Sequence, residues 1–221
     1  MLVPDTSIWK GFRKLYEYLI KQGYEIGVLD RSMVSYAVDI IVYVNSKKYI
    51  EENEIRSYIK YFTRKGAKLI VELVPRSKSD VQVINKLLSS YGMELSWIKI
   101  YDPINNNGVP TNPIAKPNTL LGLRNTKIVV EHAFHIRPFA STPLLKGQDT
   151  ALAMNPDTGE VIPYPKGEDL VYATIRHGDD GNPWVIYFAG YVFRDTVLHN
   201  DNLRLLEHIL ALVKGRETRK M

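Results

Sequence analysis

The chain has 221 residues, 45% of them hydrophobic, and a net charge of +5 from 29 basic and 24 acidic side chains. That composition suits one globular domain and excludes wholesale disorder. There is no cysteine, so disulfides, thiolate-bound zinc, iron–sulfur clusters and a cysteine nucleophile are all ruled out.

No apolar run approaches the roughly 18 residues of a membrane helix. The opening MLVPDTSIWK lacks the basic start and apolar core of a secretion signal. The expected chain is soluble. Its compartment stays open: cytoplasm is the default, and the soluble part of a membrane-associated assembly is the alternative. The basic excess is spread thinly, with small clusters at 60–68 and 214–220, and reads as solvated surface plus a frayed tail. The segment RSYIKYFTRKGAK mixes basic and aromatic residues as a nucleic-acid binder would. However, Ile55, Tyr58, Ile59 and Phe62 fall at helical spacing, so the aromatics are expected to face a core, and nucleic acid is not the expected partner.

In chain order, residues 7–22 read as a helix, with Phe12, Leu15, Tyr16, Leu19 and Ile20 forming its apolar stripe and Gly23 stopping it. Short strands follow at 24–29 and 39–44. The second is apolar throughout, as burial on both faces of a parallel sheet requires. A polar loop and a helix over 51–65 lead through Gly66 to a strand at 67–74. A turn over 75–79 then opens a helix, for which Ser79 and Gln82 match a capping box. Residues 94–100 read as another strand. This alternation predicts a parallel α/β sheet with right-handed crossovers.

The middle differs. Residues 102–118, DPINNNGVPTNPIAKPN, are rich in Asn, Pro and Gly and are expected to form a loop. From 127 to 188 only strand-like runs occur, separated by turns such as NPDTG and GDDGN, and they read as β-hairpins added to the sheet. The run 184–188 is apolar enough to rejoin it. A final helix spans 201–213, with Asp201 and Asn202 expected to cap it, and 215–221 is expected to be a disordered tail. The whole forms one domain, 1–214, with a β-rich excursion over 102–182. Exposed strands in that excursion leave edges through which a homodimer would form.

The order of motifs resembles a known family. The motifs are Gly23-Tyr24 after a helix, the strand DIIVYV, the run YIKYFTRKGAKLIVE, the helix NKLLSSYG, a β-rich excursion, and Asp201-Asn202 before the last helix. Together they resemble the class I glutamine amidotransferase-like domains that lack the amidotransferase site. Examples are the auxiliary domain of gliding-motility-type ABC transporter proteins and the N-terminal domain of an intraflagellar transport subunit. The resemblance implies a flavodoxin-like three-layer α/β sandwich with a mostly parallel sheet, used for binding or assembly rather than catalysis. The residues agree. An amidotransferase needs a cysteine on a strained elbow and a His–Glu pair after a late strand. This chain has Leu73-Val74-Pro75-Arg76-Ser77 at the first place and Gly190-Tyr191-Val192-Phe193 at the second, where the related domains often carry Gly-Asp.

Other chemistry is weakly signalled. A hydrolase would pair Ser77 with His199, oriented by Asp195 or Asp201, but the glycines of a nucleophile elbow are missing. Glu131, His132 and His135 are the best metal-like cluster. In a strand, residues three apart point to opposite faces, so substrate contact or a plain structural role is preferred to zinc. His177 and the Asp179–Asp180 turn lack the calcium-loop pattern. No nucleotide-binding glycine loop is present, and no cofactor is expected. The expected ligand site lies at the carboxyl ends of the strands and comprises Asn45, Ser46, Arg76, Ser77, Tyr191, His199, Asp201 and Asn202. It would serve a protein partner or a polar ligand such as a glycan.

Overall fold

The computed structural model describes residues 2–3, 11–28, 38–44, 53–178 and 183–214. The expected start of the first helix at 7–10, the loop at 45–50 that holds Asn45 and Ser46, and the tail at 215–221 lie outside the described residues.

Strand β1 (Leu2–Val3) leads to helix α1 (Arg13–Lys21), then β2 (Gly27–Val28) and β3 (Ile40–Val44). Helix α2 (Asn53–Arg64), strand β4 (Lys68–Glu72) and helix α3 (Lys78–Leu88) follow. Next come strands β5 (Met93–Tyr101), β6 (Ile114–Pro117), β7 (Ile128–Val129), β8 (Phe134–Pro138) and β9 (Thr142–Lys146). Strands β10 (Leu152–Met154), β11 (Val161–Lys166), β12 (Val171–His177) and β13 (Pro183–Phe188) precede the last helix, α4 (Asn200–Val213).

The strands form two sheets. One has nine strands in the order β2-β1-β3-β4-β13-β12-β9-β6-β7, and the other has four in the order β11-β10-β5-β8. The first sheet is mixed. Strands β2, β1, β3, β4 and β13 pair in parallel. Every pairing beyond β13, and every pairing in the second sheet, is antiparallel.

The expected flavodoxin-like three-layer α/β sandwich with a mostly parallel sheet is therefore corrected. Antiparallel pairings outnumber parallel ones, β5 leaves the main sheet to lead a second one, and only four α-helices occur among the described residues. Strands joined by tight turns pair antiparallel with their neighbours, whereas parallel pairing needs a crossover. The long run of hairpins from 93 to 188 thus sets the architecture.

Two smaller corrections follow. The Asn/Pro-rich stretch expected to be all loop ends in β6, and a strand that sequence periodicity misses, β9 with the sequence TPLLK, lies inside the main sheet. Prolines in both hide the alternation that identifies a strand.

Period-two alternation divides the core. Ile40, Val42, Val44, Ile70, Ile186 and Phe188 face one side with residues of α1 and α4. Ile41, Tyr43, Leu69, Val71, Val185 and Tyr187 face the other with Ile59, Phe62, Ile84, Leu87 and Leu88. The aromatic Phe62 of the basic helix is in this core, as its spacing indicates.

Polar side chains finish what backbone pairing leaves open. Beyond the end of β10, the Leu95 backbone in β5 has no strand on that side. Asn85 of α3 takes its place: its Oδ1 accepts from Leu95 N at 2.7 Å, and its Nδ2 donates to Leu95 O at 2.9 Å. One carboxamide thus satisfies both main-chain polar groups of one residue, as a neighbouring strand would. Asn85→Ala removes both bonds without replacing them. It is expected to cost about 2–4 kcal/mol, the sum of two under-satisfied backbone groups, as read from the urea-unfolding midpoint at unchanged slope.

Candidate functional site

Ser77 and Arg76 sit in the turn after β4, and their bonds are local. Ser77 is the N-cap of α3. Its Oγ accepts from Asp80 N at 3.2 Å and lies 2.7 Å from Ser79 Oγ. Asp80 returns the contact by accepting from Arg76 N at 2.8 Å. The cap is therefore Ser77, not Ser79: the helix starts two residues earlier, and Asp80 at the third helical position bonds the N–H of Arg76, the residue before the cap.

Asp201 and Asn202 do not cap the last helix either. The N-cap position belongs to His199, whose side chain makes no capping bond. Asp201 and Asn202 lie in the first turn and reach sideways to the sheet edge at β7. Asp201 Oδ2 accepts from Lys127 N at 2.8 Å. Asn202, which is buried, accepts from Val129 N at 2.9 Å and donates to Val129 O at 2.8 Å and to Val192 O at 2.9 Å.

The structure gathers polar groups instead around the carboxyl ends of β4 and β13. These two strands run parallel, so their ends open on the same side. In parallel sheets this side is where ligands usually bind. After β13 the chain turns back along the 130–134 segment, and Glu131 and Tyr191 exchange backbone hydrogen bonds at 3.0 and 2.8 Å. Gly190 is required there. A Cβ would fall 2.3 Å from Val130 Cγ1 and 3.1 Å from the Glu131 carbonyl oxygen.

The Arg194 guanidinium lies over the Tyr191 ring, 5.0 Å from its centre. His132 and Phe12 meet the same ring edge-on at 6.1 and 6.3 Å. Glu131 accepts a 2.8 Å bond from Thr196 Oγ1. Asp195 ties this loop to α1, accepting from Lys14 N at 2.8 Å. His132 itself adopts a left-handed backbone, φ +52°. Side chains rarely take that conformation, and where they do the surroundings hold it. Burial pushes the His132 pKa down, and Lys99 and Arg194 push it further.

Beneath this loop is Glu72, the last residue of β4 and fully buried. Its Oε2 accepts from both Val192 N and Phe193 N at 2.9 Å, while Oε1 is buried without a partner. Burial raises its pKa from 4.5 to about 8, against the lowering pull of those two N–H groups. The site thus joins Tyr191 of the expected set to Glu131 and His132, for which sequence reasoning preferred substrate contact or a plain structural role to zinc. It adds Glu72, Arg194 and Thr196, which sequence reasoning missed. One signal for Glu72 was present: a lone acid inside the apolar run LIVELV.

His135 lies apart from His132. It is buried in β8 and its Nδ1 accepts from Val171 N at 3.2 Å. Burial lowers its pKa to about 4, so at neutral pH it is an uncharged structural acceptor. No group of three or more metal-ligating side chains is found among the described residues. No helix among them is long and apolar enough to cross a membrane.

The sequence matches no protein-family profile and no curated protein sequence. Among solved structures the chain is similar to alpha-L-fucosidase isoenzyme 2 from Paenibacillus thiaminolyticus, with a TM-score of 0.48 and 17% sequence identity. The likeness covers 88% of this chain and 27% of that one, so the chain spans about a quarter of the length of that enzyme. These comparisons lend no support to an amidotransferase-like domain.

Two pH dependences follow. Glu72 has a higher pKa folded than unfolded. Its contribution to stability is full below about pH 4.5 and is lost as pH rises through about 8. Glu72→Gln keeps an acceptor for Val192 and Phe193 but cannot ionise. The stability difference between wild type and variant is expected to move in the variant's favour by a few kcal/mol, on the order of one per pH unit, across that window. Urea unfolding at several pH values measures it. His135 has the opposite sign: the unfolded chain takes up a proton that the folded chain refuses between about pH 6.5 and 4. Stability is therefore lost as pH falls through that range, and His135→Asn, which keeps a short-range acceptor, is expected to flatten the loss in the same assay.

Proposed function

We propose that this chain is a non-catalytic binding or assembly module. It engages a protein partner or a polar ligand such as a glycan through the surface around Tyr191. The observation that carries this reading is the Tyr191 ring itself. It is half-buried, held by a backbone bridge to Glu131, covered by the Arg194 guanidinium, and bordered by His132 and by the Glu131–Thr196 pair. A rigid aromatic surface ringed by donors and acceptors suits the recognition of polar ligands, because the ring supplies contact area at low entropic cost and the polar rim supplies orientation.

Ser77 supports the same reading from the other direction. A serine nucleophile needs a base to take its proton, whereas the bonds of Ser77 Oγ run to Asp80 N and Ser79 Oγ, where it caps a helix. The carboxamide of Asn202 is likewise occupied by Val129 and Val192, so it positions the loop rather than meeting a ligand.

The test uses the labelled chain on an array of oligosaccharides, with chromogenic ester and glycoside substrates assayed in parallel. Saturable binding that weakens by about tenfold or more in Tyr191→Ala is the expected result, in line with the energy concentrated in buried aromatic anchors. Turnover of any ester or glycoside that disappears in Ser77→Ala would overturn the reading in favour of a hydrolase.

A further inference from the structure

The loop between β5 and β6 carries three consecutive asparagines, Asn105, Asn106 and Asn107, followed by Gly108. The fold treats them differently. Asp102 organises the loop from its buried base: Oδ1 accepts from Ile104 N at 2.9 Å, from Asn105 N at 2.7 Å and from Thr150 Oγ1 at 2.7 Å. The Asn105 carboxamide is then held by Thr150 Oγ1 at 2.7 Å, and that of Asn106 by the Asp102 carbonyl oxygen at 2.9 Å. Asn107 is anchored only through its backbone, donating to Asn112 O at 3.0 Å. Among the described residues neither its carboxamide nor the Gly108 N–H makes a hydrogen bond. Both residues are exposed, and nothing lies within 4 Å of the place a Gly108 Cβ would occupy.

We infer that Asn107 is a site of spontaneous, self-catalysed backbone modification. The reacting groups are all present. Solvent base removes the Gly108 N–H proton, and that nitrogen attacks Cγ of Asn107. The Cγ–Nδ2 bond breaks and ammonia leaves, closing a cyclic imide. One water opens the imide at either carbonyl, giving aspartate or its β-linked isomer. No oxidant or reductant takes part. The attack needs a carboxamide free to swing over the next peptide nitrogen and a neighbour with no side chain to obstruct it. Asn107 has both. Asn105 and Asn106 have neither, because their amides are bonded and another asparagine follows each.

The product matters to the loop. It lowers the net charge of +5 by one unit and sets a new carboxylate in the loop whose folding rests on the Asp102 carboxylate. The β-linked form also lengthens the backbone by one carbon inside the turn that Asn107 N and Asn112 O close. The modified loop is expected to lose that turn while the sheets persist.

The experiment incubates the full chain in buffer made with oxygen-18 water at neutral and mildly alkaline pH. Peptide mass spectrometry then locates the label, and an isoaspartyl methyltransferase assay detects the β-linked product. A free peptide of sequence INNNGVP runs alongside. The expected result is labelled carboxylate at Asn107, accumulating faster at the higher pH and within about tenfold of the peptide rate, since an exposed loop opens at almost no free-energy cost. Asn105 and Asn106 stay unlabelled until the chain is unfolded in urea, and Gly108→Ala slows the reaction. Protection of Asn107 by much more than that tenfold, or equal labelling of Asn105 and Asn106 in the folded chain, would overturn the inference.

Discussion

The joint between Glu72 and the chain after β13 is the contact on which the site depends. Two backbone N–H groups, from Val192 and Phe193, converge on one carboxyl oxygen inside a fully buried space. Left unpaired, each would carry a desolvation cost of about 1–3 kcal/mol. With them paired, the chain leaving β13 bends at Gly190 and lies across the strand ends. That bend places Tyr191 against Glu131 and Arg194 above Tyr191, and it brings Asp195 to the first turn of α1. A single polar residue in an apolar strand therefore anchors the turn on which Tyr191, Arg194 and Asp195 stand. Burial raises the Glu72 pKa to about 8, which favours the protonated carboxyl at neutral pH.

Open sheet edges impose the second constraint. A strand with unpaired N–H and C=O groups invites pairing with another chain. Helix side chains close two such places in the same way: Asn85 bonds both polar groups of Leu95, and Asn202 bonds both of Val129. A carboxamide carries a donor and an acceptor on separate atoms, as a peptide unit does; an ionised acid has no donor, and an alcohol has both functions on one atom. The outer strand of the small sheet, β11, is protected differently. Its sequence VIPYPK has prolines at 163 and 165, which have no N–H to offer, and this leaves Val161 and Tyr164 more than half exposed without making the strand a ready template.

Much of the local structure was legible in the sequence. The apolar stripes of α3 and α4, the buried run of β3 and the return of β13 to the main sheet follow from apolar patterning, whereas the stripe of α1 holds only in part: Phe12, Leu15 and Leu19 are buried, and Tyr16 and Ile20 are exposed. The architecture was not legible, because the alternation of helices and strands in the first hundred residues gave no sign that β5 would leave the sheet. The strand is apolar on alternate positions in either setting, and what decides its partner is the hairpin-rich sequence after it. The site was half legible. Tyr191 stood out because it replaces an expected acid. Asp201 and Asn202 looked like caps because a short polar pair before an apolar stripe usually is one, and only the position of β7 redirects them. His132 and His135 were read as strand residues three apart that point to opposite faces. The left-handed backbone at His132 breaks that alternation, and no single-sequence pattern announces a positive φ at a histidine.

In the proposed binding reading, what separates a binding group from a structural one is whether its hydrogen-bonding capacity is already committed. Ser77, Asp201 and Asn202 each satisfy backbone groups whose release would cost more than a typical ligand hydrogen bond returns. Evolution of a ligand site from them would require rebuilding a helix cap or a sheet edge. The groups around Tyr191 are arranged otherwise. Among the described residues His132 makes ring contact with Tyr191 and no side-chain hydrogen bond. Arg194 stacks on a ring rather than pairing with an acid, and Glu131 uses one oxygen for Thr196. Held in place by backbone bonds while their polar atoms keep capacity, these side chains can meet an incoming hydroxyl, amide or carboxylate without first giving up a contact the fold needs. The proposed binding would draw on this preorganisation, because the entropy of ordering the site has already been spent in folding.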